Sequence, residues 1–177
     1  CNGLFLTGGT GFLGIHILAE LLESGDMVVY CLVRGASQQD AENRFLKLLR
    51  FYFGNKYDAL FGVRIQIVNG DVAKERFGLS EEAYASLGRV VDTVIHSAAA
   101  VQFMGSYEKI SRINVGGTRE AAVFALAHQC RFFHISTIWV TGNYLAYNTS
   151  GGEYTENDFY AGQNYMSNPY VRSKFEA

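Results

Sequence analysis

The sequence predicts a doubly wound parallel α/β sheet, and three observations carry that prediction. Short apolar runs alternate with amphipathic stretches at helical spacing. A glycine cluster lies between the first run and the first amphipathic stretch. Every polar motif falls where a predicted strand ends, and right-handed crossovers gather those ends on one edge of the sheet, where ligands bind.

The elements follow in order. Leu4 to Thr7 is an apolar run that enters the glycines. Phe12 to Glu23 carries Leu13, Ile17, Leu18, Leu21 and Leu22 at helical spacing and stops at Ser24-Gly25-Asp26. Met27 to Val33 is almost continuously apolar, as a strand buried on both faces requires. A helix over Gln38 to Phe53 places Phe45, Leu48 and Leu49 on one face. The third strand is Arg64 to Val68, ending in Asn69-Gly70-Asp71. Ser80 opens a short helix, and Val90 to His96 is the fourth strand. Tyr107 to Gln129 reads as one long helix with Ile110, Ile113, Val123 and Leu126 facing inward. Arg131 to Ser136 is the fifth strand, and Asn143 to Ser167 is a loop rich in Gly, Asn and Tyr. The last helix begins at Pro169, the single proline, with Asn168 as its cap.

Composition narrows the function classes. The 177 residues are 49% hydrophobic and 18% charged, which suits one globular core. The net charge of -2 and the scattered Lys and Arg argue against a nucleic-acid surface. No apolar run is long enough to span a bilayer, and no signal peptide is visible. Cys1, Cys31 and Cys130 are far apart and odd in number, which argues against a disulfide framework or a zinc site and fits a reducing cytoplasm. Cys31 and Cys130 read as small core residues. His16, His96, His128 and His134 lack ligand spacing, so no metal site is expected. His96 and His134 fall in strands and read as satisfied core histidines. The chain opens at Cys1 without a Met and reaches Ala177 inside a helical pattern. Residues 1–177 are therefore expected to be one nucleotide-binding domain of a longer polypeptide, with the C-terminal substrate part missing.

The segment Thr7-Gly8-Gly9-Thr10-Gly11-Phe12-Leu13-Gly14 follows a strand and opens a helix. That is the context of the dinucleotide-binding (Rossmann) fingerprint. Glycines allow a tight turn and close approach to a pyrophosphate, and the helix start offers free N–H groups and a positive dipole end. The second strand ends in Leu32-Val33-Arg34, where an NAD site usually has an acid for the ribose hydroxyls. Arg34 suits a 2′-phosphate instead, which points to NADPH. Arg44 is either a second phosphate ligand or a solvated surface residue.

Seven segments now stand in order: TGGTGFLG, VYCLVR, NGDV, VIHSAA, INVGGTRE, HISTIWVTG and PYVRSK. Together they resemble the extended short-chain dehydrogenase/reductases over essentially the whole chain. Within these, the sequence is similar to the thioester reductase domains of nonribosomal peptide synthetases and carboxylic acid reductases, relatives of fatty acyl-CoA reductases. The resemblance implies that Asp71 and Val72 flank the adenine and that Ser97, Ala98 and Ala99 line the cofactor. The family commonly has Asn where Ser97 stands, so that contact is expected to be altered. Asn114 matches a helix asparagine near the active site of relatives. Substrate choice in this superfamily comes largely from the segment after the Tyr-Lys helix.

Tyr170 and Lys174 are four apart at a helix start and share one face. Thr137 lies at the end of the fifth strand, where the resemblance places the catalytic Ser/Thr; Ser136 is its neighbouring alternative. Hydride addition to a carbonyl carbon builds negative charge on the oxygen. A phenol of pKa ~10 is a poor acid at neutral pH, and a nearby ammonium lowers that value. Lys174 can do this while bonding the nicotinamide ribose. Tyr170 then acts as general acid, and Thr137 donates to the same oxygen. With a thioester, the hemithioacetal expels the thiol and leaves an aldehyde, and a second hydride gives the alcohol. The implied partner is an acyl or peptidyl thioester on a phosphopantetheinyl carrier protein. The tyrosines from Tyr144 to Tyr165 either touch that acyl chain or pack as an ordinary loop. Two other readings are a nucleotide-sugar epimerase or dehydratase and a non-catalytic NADP-binding sensor.

Overall fold

The computed structural model describes residues 3–101, 105–144, 154–155, 157–158, 160, 162–166 and 168–177. Five strands form one parallel sheet: β1 (Gly3–Thr7), β2 (Val28–Val33), β3 (Ile65–Asn69), β4 (Thr93–His96) and β5 (Arg131–His134). Their order is β3-β2-β1-β4-β5, so the chain reverses direction of winding between β1 and β4. The doubly wound prediction holds, and the cleft such a reversal opens lies at the ends of those two strands.

Alternation along the strands builds two cores. Leu4 and Leu6 of β1, with Val29, Cys31 and Val33 of β2, pack under α1 (Phe12–Ser24) and α2 (Gln38–Phe53) through Ile15, Leu18, Phe45 and Leu49. On the opposite face, Phe5, Leu32 and Val94 meet α3 (Glu81–Val90) and the helix before β5. Phe5, Phe77 and Phe124 form an aromatic triad of tilted and edge-on pairs with centroids 5.2–5.8 Å apart. Each ring is fully buried and stabilises by about 1.5–3 kcal/mol.

Several boundaries differ from expectation. Val90 ends α3, whose N-cap Ser80 accepts from the amide of Ala83, so β4 starts only at Thr93. The fifth strand stops at His134. The long helix is α4 (Tyr107–Ser111), a π-helical turn (Arg112–Gly116) and α5 (Gly117–Ala127). Its buried stripe is Ile110, Asn114, Gly117, Thr118, Ala121, Phe124 and Ala125. Val123 and Leu126, expected inside, are 50% and 82% exposed. Small residues let the helix lie close to its neighbours: a Cβ on Gly117 would stand 3.1 Å from Val72. Cys31 is buried as expected, but Cys130 is only half-buried, after the α5 terminus. Cys1 and most of the tyrosine-rich segment, including residues 145–153, lie outside the described residues.

The last helix, α6 (Pro169–Glu176), starts where predicted, and the Asn168 side chain accepts from the amides of Tyr170 and Val171 at 2.8 and 3.2 Å. It packs on α4. The Arg172 guanidinium lies 3.8 Å over the Tyr107 ring, and the Tyr107 hydroxyl donates to the Glu176 carboxylate.

Candidate active site

The glycine turn has no room for side chains. Gly8 has φ +77°, and a Cβ there would meet the amide nitrogen of Ala98 at 2.5 Å. A Cβ on Gly14 would lie 2.1 Å from the Gly8 carbonyl oxygen. Gly11 begins α1 without any side-chain cap, which leaves the first helical N–H groups to face the cleft. Phe12 and Leu13 expose their side chains, so their contribution there is through the backbone. The cradle fits a pyrophosphate, which needs close backbone approach.

A cleft of about 400 Å³ opens beside this turn. Gly8, Thr10 and Gly11 form one wall, Arg34 and Arg44 a second, Asp71 and Val72 a third, and Ser97, Ala98 and Ala99 a fourth. These ten of the expected cofactor residues come together. Leu32, Gly70, Ala100, Val101 and Ile113 also line it and were not singled out by the sequence. Thr7, Phe12, Leu13, Gly14, Asn114, Thr137, Tyr170 and Lys174 do not form its wall.

The arginine loop is held from three sides. The Gly35 amide donates to Asn69 at 3.0 Å, the Ala36 amide donates to Asp40 at 2.9 Å, and Ser37 caps α2. Arg44 donates to the Arg34 carbonyl at 3.0 Å, so one turn of α2 brings both guanidinium-bearing residues to one place. Both are exposed, and neither forms an ion pair among the described residues.

Thr7 is fully buried, and its role is internal. Its hydroxyl lies 2.7 Å from His96 Nδ1 and accepts from the Ala98 amide. His96 Nε2 lies 3.1 Å from the Thr118 hydroxyl, which itself donates to the Asn114 carbonyl at 2.7 Å. The Thr118 proton is therefore committed, so His96 carries its proton on Nε2 and accepts from Thr7 on Nδ1. Burial first, then the charges of His134 and Lys174, push His96 down to about 3, which keeps it neutral.

Asn114 is 1% exposed, and both ends of its amide are hydrogen-bonded. Its Oδ1 accepts from the Ala100 amide at 2.7 Å, and its Nδ2 donates to the Ala100 carbonyl and to Ser173 Oγ at 3.1 and 2.8 Å. It ties the loop after β4 to α6. A π-helical turn supplies it, as such turns frequently do at functional sites.

Tyr170 and Lys174 are both buried on α6. Lys174 Nζ donates to the Ile135 carbonyl at 2.9 Å and sits 3.4 Å from His134 Nε2. Burial lowers the Lys174 ammonium to about 8. Thr137 begins the turn after β5, and its hydroxyl accepts from the Trp139 amide at 3.3 Å, which leaves its own proton to give. Ser136 is exposed. The sequence missed Ser173 and His134. Their partners lie 59 and 40 residues away, so only the fold brings them into contact. His134 is also half-buried and not the satisfied core residue expected, since its Nδ1 has no hydrogen-bond partner among the described residues.

A glycine cradle at the reversal of strand order, with a Tyr-x-x-x-Lys helix tied to its rim, defines an NAD(P)-binding domain. The NAD-binding family described as Male sterility protein matches residues 6–177, and the chain belongs to that family. A linear gramicidin synthase polypeptide of Brevibacillus parabrevis is 38% identical over 135 residues, which are 76% of this chain and 3% of that protein. The L-2-aminoadipate reductase large subunit of Eremothecium gossypii is 35% identical over 73% of this chain and 10% of its own length. A thiolation-reductase di-domain from an archaeal non-ribosomal peptide synthetase superposes with a TM-score of 0.83 at 34% identity, over 99% of this chain and 36% of that one. The terminal R domain of the myxalamid pathway superposes equally well at 32% identity, over 99% of this chain and 43% of its own. The chain thus spans a small part of its curated relatives and less than half of these solved chains. No described helix is long and apolar enough to cross a membrane. Among the described residues no His, Cys, Asp and Glu group could hold a metal.

Proposed function

We propose that this domain reduces an acyl or peptidyl thioester, carried on the phosphopantetheine arm of a carrier protein, to an aldehyde, using NADPH; a second hydride would carry the aldehyde to the alcohol. The observation that carries this reading is the Tyr170–Lys174 helix, fixed by Asn114 to the loop that lines the dinucleotide cleft. Similarity to a small part of a gramicidin synthase polypeptide, to an aminoadipate reductase and to a thiolation-reductase di-domain of a peptide synthetase supports the substrate class and a place in a long multidomain chain. The free cysteines Cys31 and Cys130 suit a cytoplasmic setting.

The bound cofactor supplies the hydride. The residues of this chain do the rest. Tyr170 gives a proton to the thioester oxygen as the carbon is reduced, and Thr137 donates a hydrogen bond to the same oxygen. The hemithioacetal then breaks its C–S bond, the thiol leaves with a proton, and an aldehyde remains. Lys174, one helical turn from Tyr170, would hold positive charge near the phenol and bind the nicotinamide ribose. The glycine turn would seat the pyrophosphate, Asp71 and Val72 would flank the adenine, and Ser97, Ala98 and Ala99 would line the cofactor.

The test is turnover by the full-length protein of a carrier-bound acyl thioester with NADPH, read as aldehyde formed. Aldehyde or alcohol product supports the reading. Absence of both, with conversion of a UDP-sugar instead, replaces it by the nucleotide-sugar alternative.

The preference for NADPH rests on Arg34 and Arg44. Arg34→Ala is expected to raise the NADPH Kd by about 10- to 100-fold, the loss of one or two charge-assisted hydrogen bonds. NADH binding should change by less than about threefold. Equal weakening of both cofactors, measured by fluorescence titration, removes the 2′-phosphate assignment.

A further inference from the structure

His134 stands at the end of β5 with no role in the chemistry above. Its ring lies flat in a stack, 5.5 Å from His96 and 6.4 Å from Phe132, with interplanar angles of 18° and 14°. Its Nε2 points at Lys174 Nζ, 3.4 Å away, and the adjacent Ile135 carbonyl takes another Lys174 proton. Two acceptors from consecutive residues of one strand end therefore meet one buried ammonium.

The tautomer follows from hydrogen-bond logic. An ammonium has only donors, so Nε2 must present its lone pair, and the ring proton must sit on Nδ1. Nδ1 is buried and has no partner among the described residues. A histidine left to choose would avoid an orphaned donor. The stack on His96 and the contact with Lys174 hold it there. Burial, and then the Lys174 charge, keep this imidazole at about 4, so it is a neutral acceptor at physiological pH.

We propose that His134 is a positioning residue for Lys174, a neutral acceptor that fixes the ammonium at the end of β5 and keeps it protonated. This rests on the reading of Lys174 as part of the hydride-transfer site. Among the described residues, the groups around Lys174 are few. His134 faces it from β5, with His96 of β4 stacked behind. Tyr170 precedes it by one turn of α6. Arg172 and Glu176 pair with each other at 2.8 Å and with Tyr107 of α4. Asn114 and Ser173, which do not titrate, bond to each other.

The active form carries the Lys174 ammonium, so kcat/KM falls as pH rises through its pKa, near 8. Loss of the His134 acceptor disfavours the ammonium further and moves that alkaline limb to lower pH. His134→Phe keeps the stacked ring and removes the acceptor. His134→Gln restores an acceptor.

Two readouts on the full-length protein test this. The first is the pH dependence of Lys174 acetylation by acetic anhydride, followed by peptide mass spectrometry, which needs no turnover. The second is the pH profile of kcat/KM with NADPH. In H134F both apparent pKa values are expected to fall by about one pH unit, the loss of one charge-assisted hydrogen bond. In H134Q they are expected to stay within ~0.3 units of the parent. An unchanged Lys174 labelling pKa in H134F overturns the proposal, as does an equal shift in H134F and H134Q. A shift in labelling without any thioester turnover by the parent protein supports the His134–Lys174 pairing and sinks the hydride-transfer reading.

Discussion

Tyr170→Phe is expected to lower kcat for thioester reduction by about 10²–10⁴-fold, the span of a lost general acid. The NADPH Kd should move by less than about threefold. The reasons are local. The Tyr170 backbone amide donates to Asn168, and the residue is 9% exposed. Phenylalanine keeps both the helix cap and the ring packing, so only the hydroxyl is lost. Activity within about tenfold of the parent, in single-turnover measurements, would mean that another group delivers the proton.

Gly14→Ala is expected to abolish dinucleotide binding, with the NADPH Kd raised more than ~30-fold and stability reduced by about 1–3 kcal/mol, as for overpacking. The added Cβ would meet the Gly8 carbonyl oxygen at 2.1 Å and its carbon at 2.7 Å. Both are backbone atoms, so no side chain can swing aside. The turn must move, and Gly8 already abuts Ser97 and Ala98 behind it. Gly25→Ala is the control: nothing lies within 4 Å of its Cβ position, and stability should stay within about 0.5 kcal/mol. Isothermal titration and thermal melts of the three proteins decide it. Equal behaviour of both variants refutes the close-approach argument.

The features that were legible in the sequence are the local ones. Apolar runs and the glycine and Asn-Gly-Asp breaks fixed the five strands, and Asn168-Pro169 fixed the start of α6 to the residue. The glycine turn could be read because it sits between a strand and a helix only four residues apart in the chain. The inner face of α5 differs from expectation because helical spacing favours the large aliphatics as the buried residues. Close helix packing required the reverse, with Gly117 and Ala121 inside and Val123 and Leu126 outside. The π-helical turn has no sequence signature of its own. It accompanies an asparagine whose partners, Ala100 and Ser173, come from two other elements. Thr7 looked like a ligand residue because it opens the fingerprint, yet its hydroxyl turns inward to a histidine 89 residues away.

That buried line of hydrogen bonds has a consequence for domain shuffling. From the Ala98 amide through Thr7, His96 and Thr118 to the Asn114 carbonyl, each proton has one owner and one direction. A chimera joined anywhere between β1 and β4 separates the threonine from its histidine in ancestry. Such a hybrid inherits a matching pair only when both parents carry the same two residues. Crossovers placed after Thr118 leave this line intact, but they divide Asn114 from Ser173, so that second contact must also match.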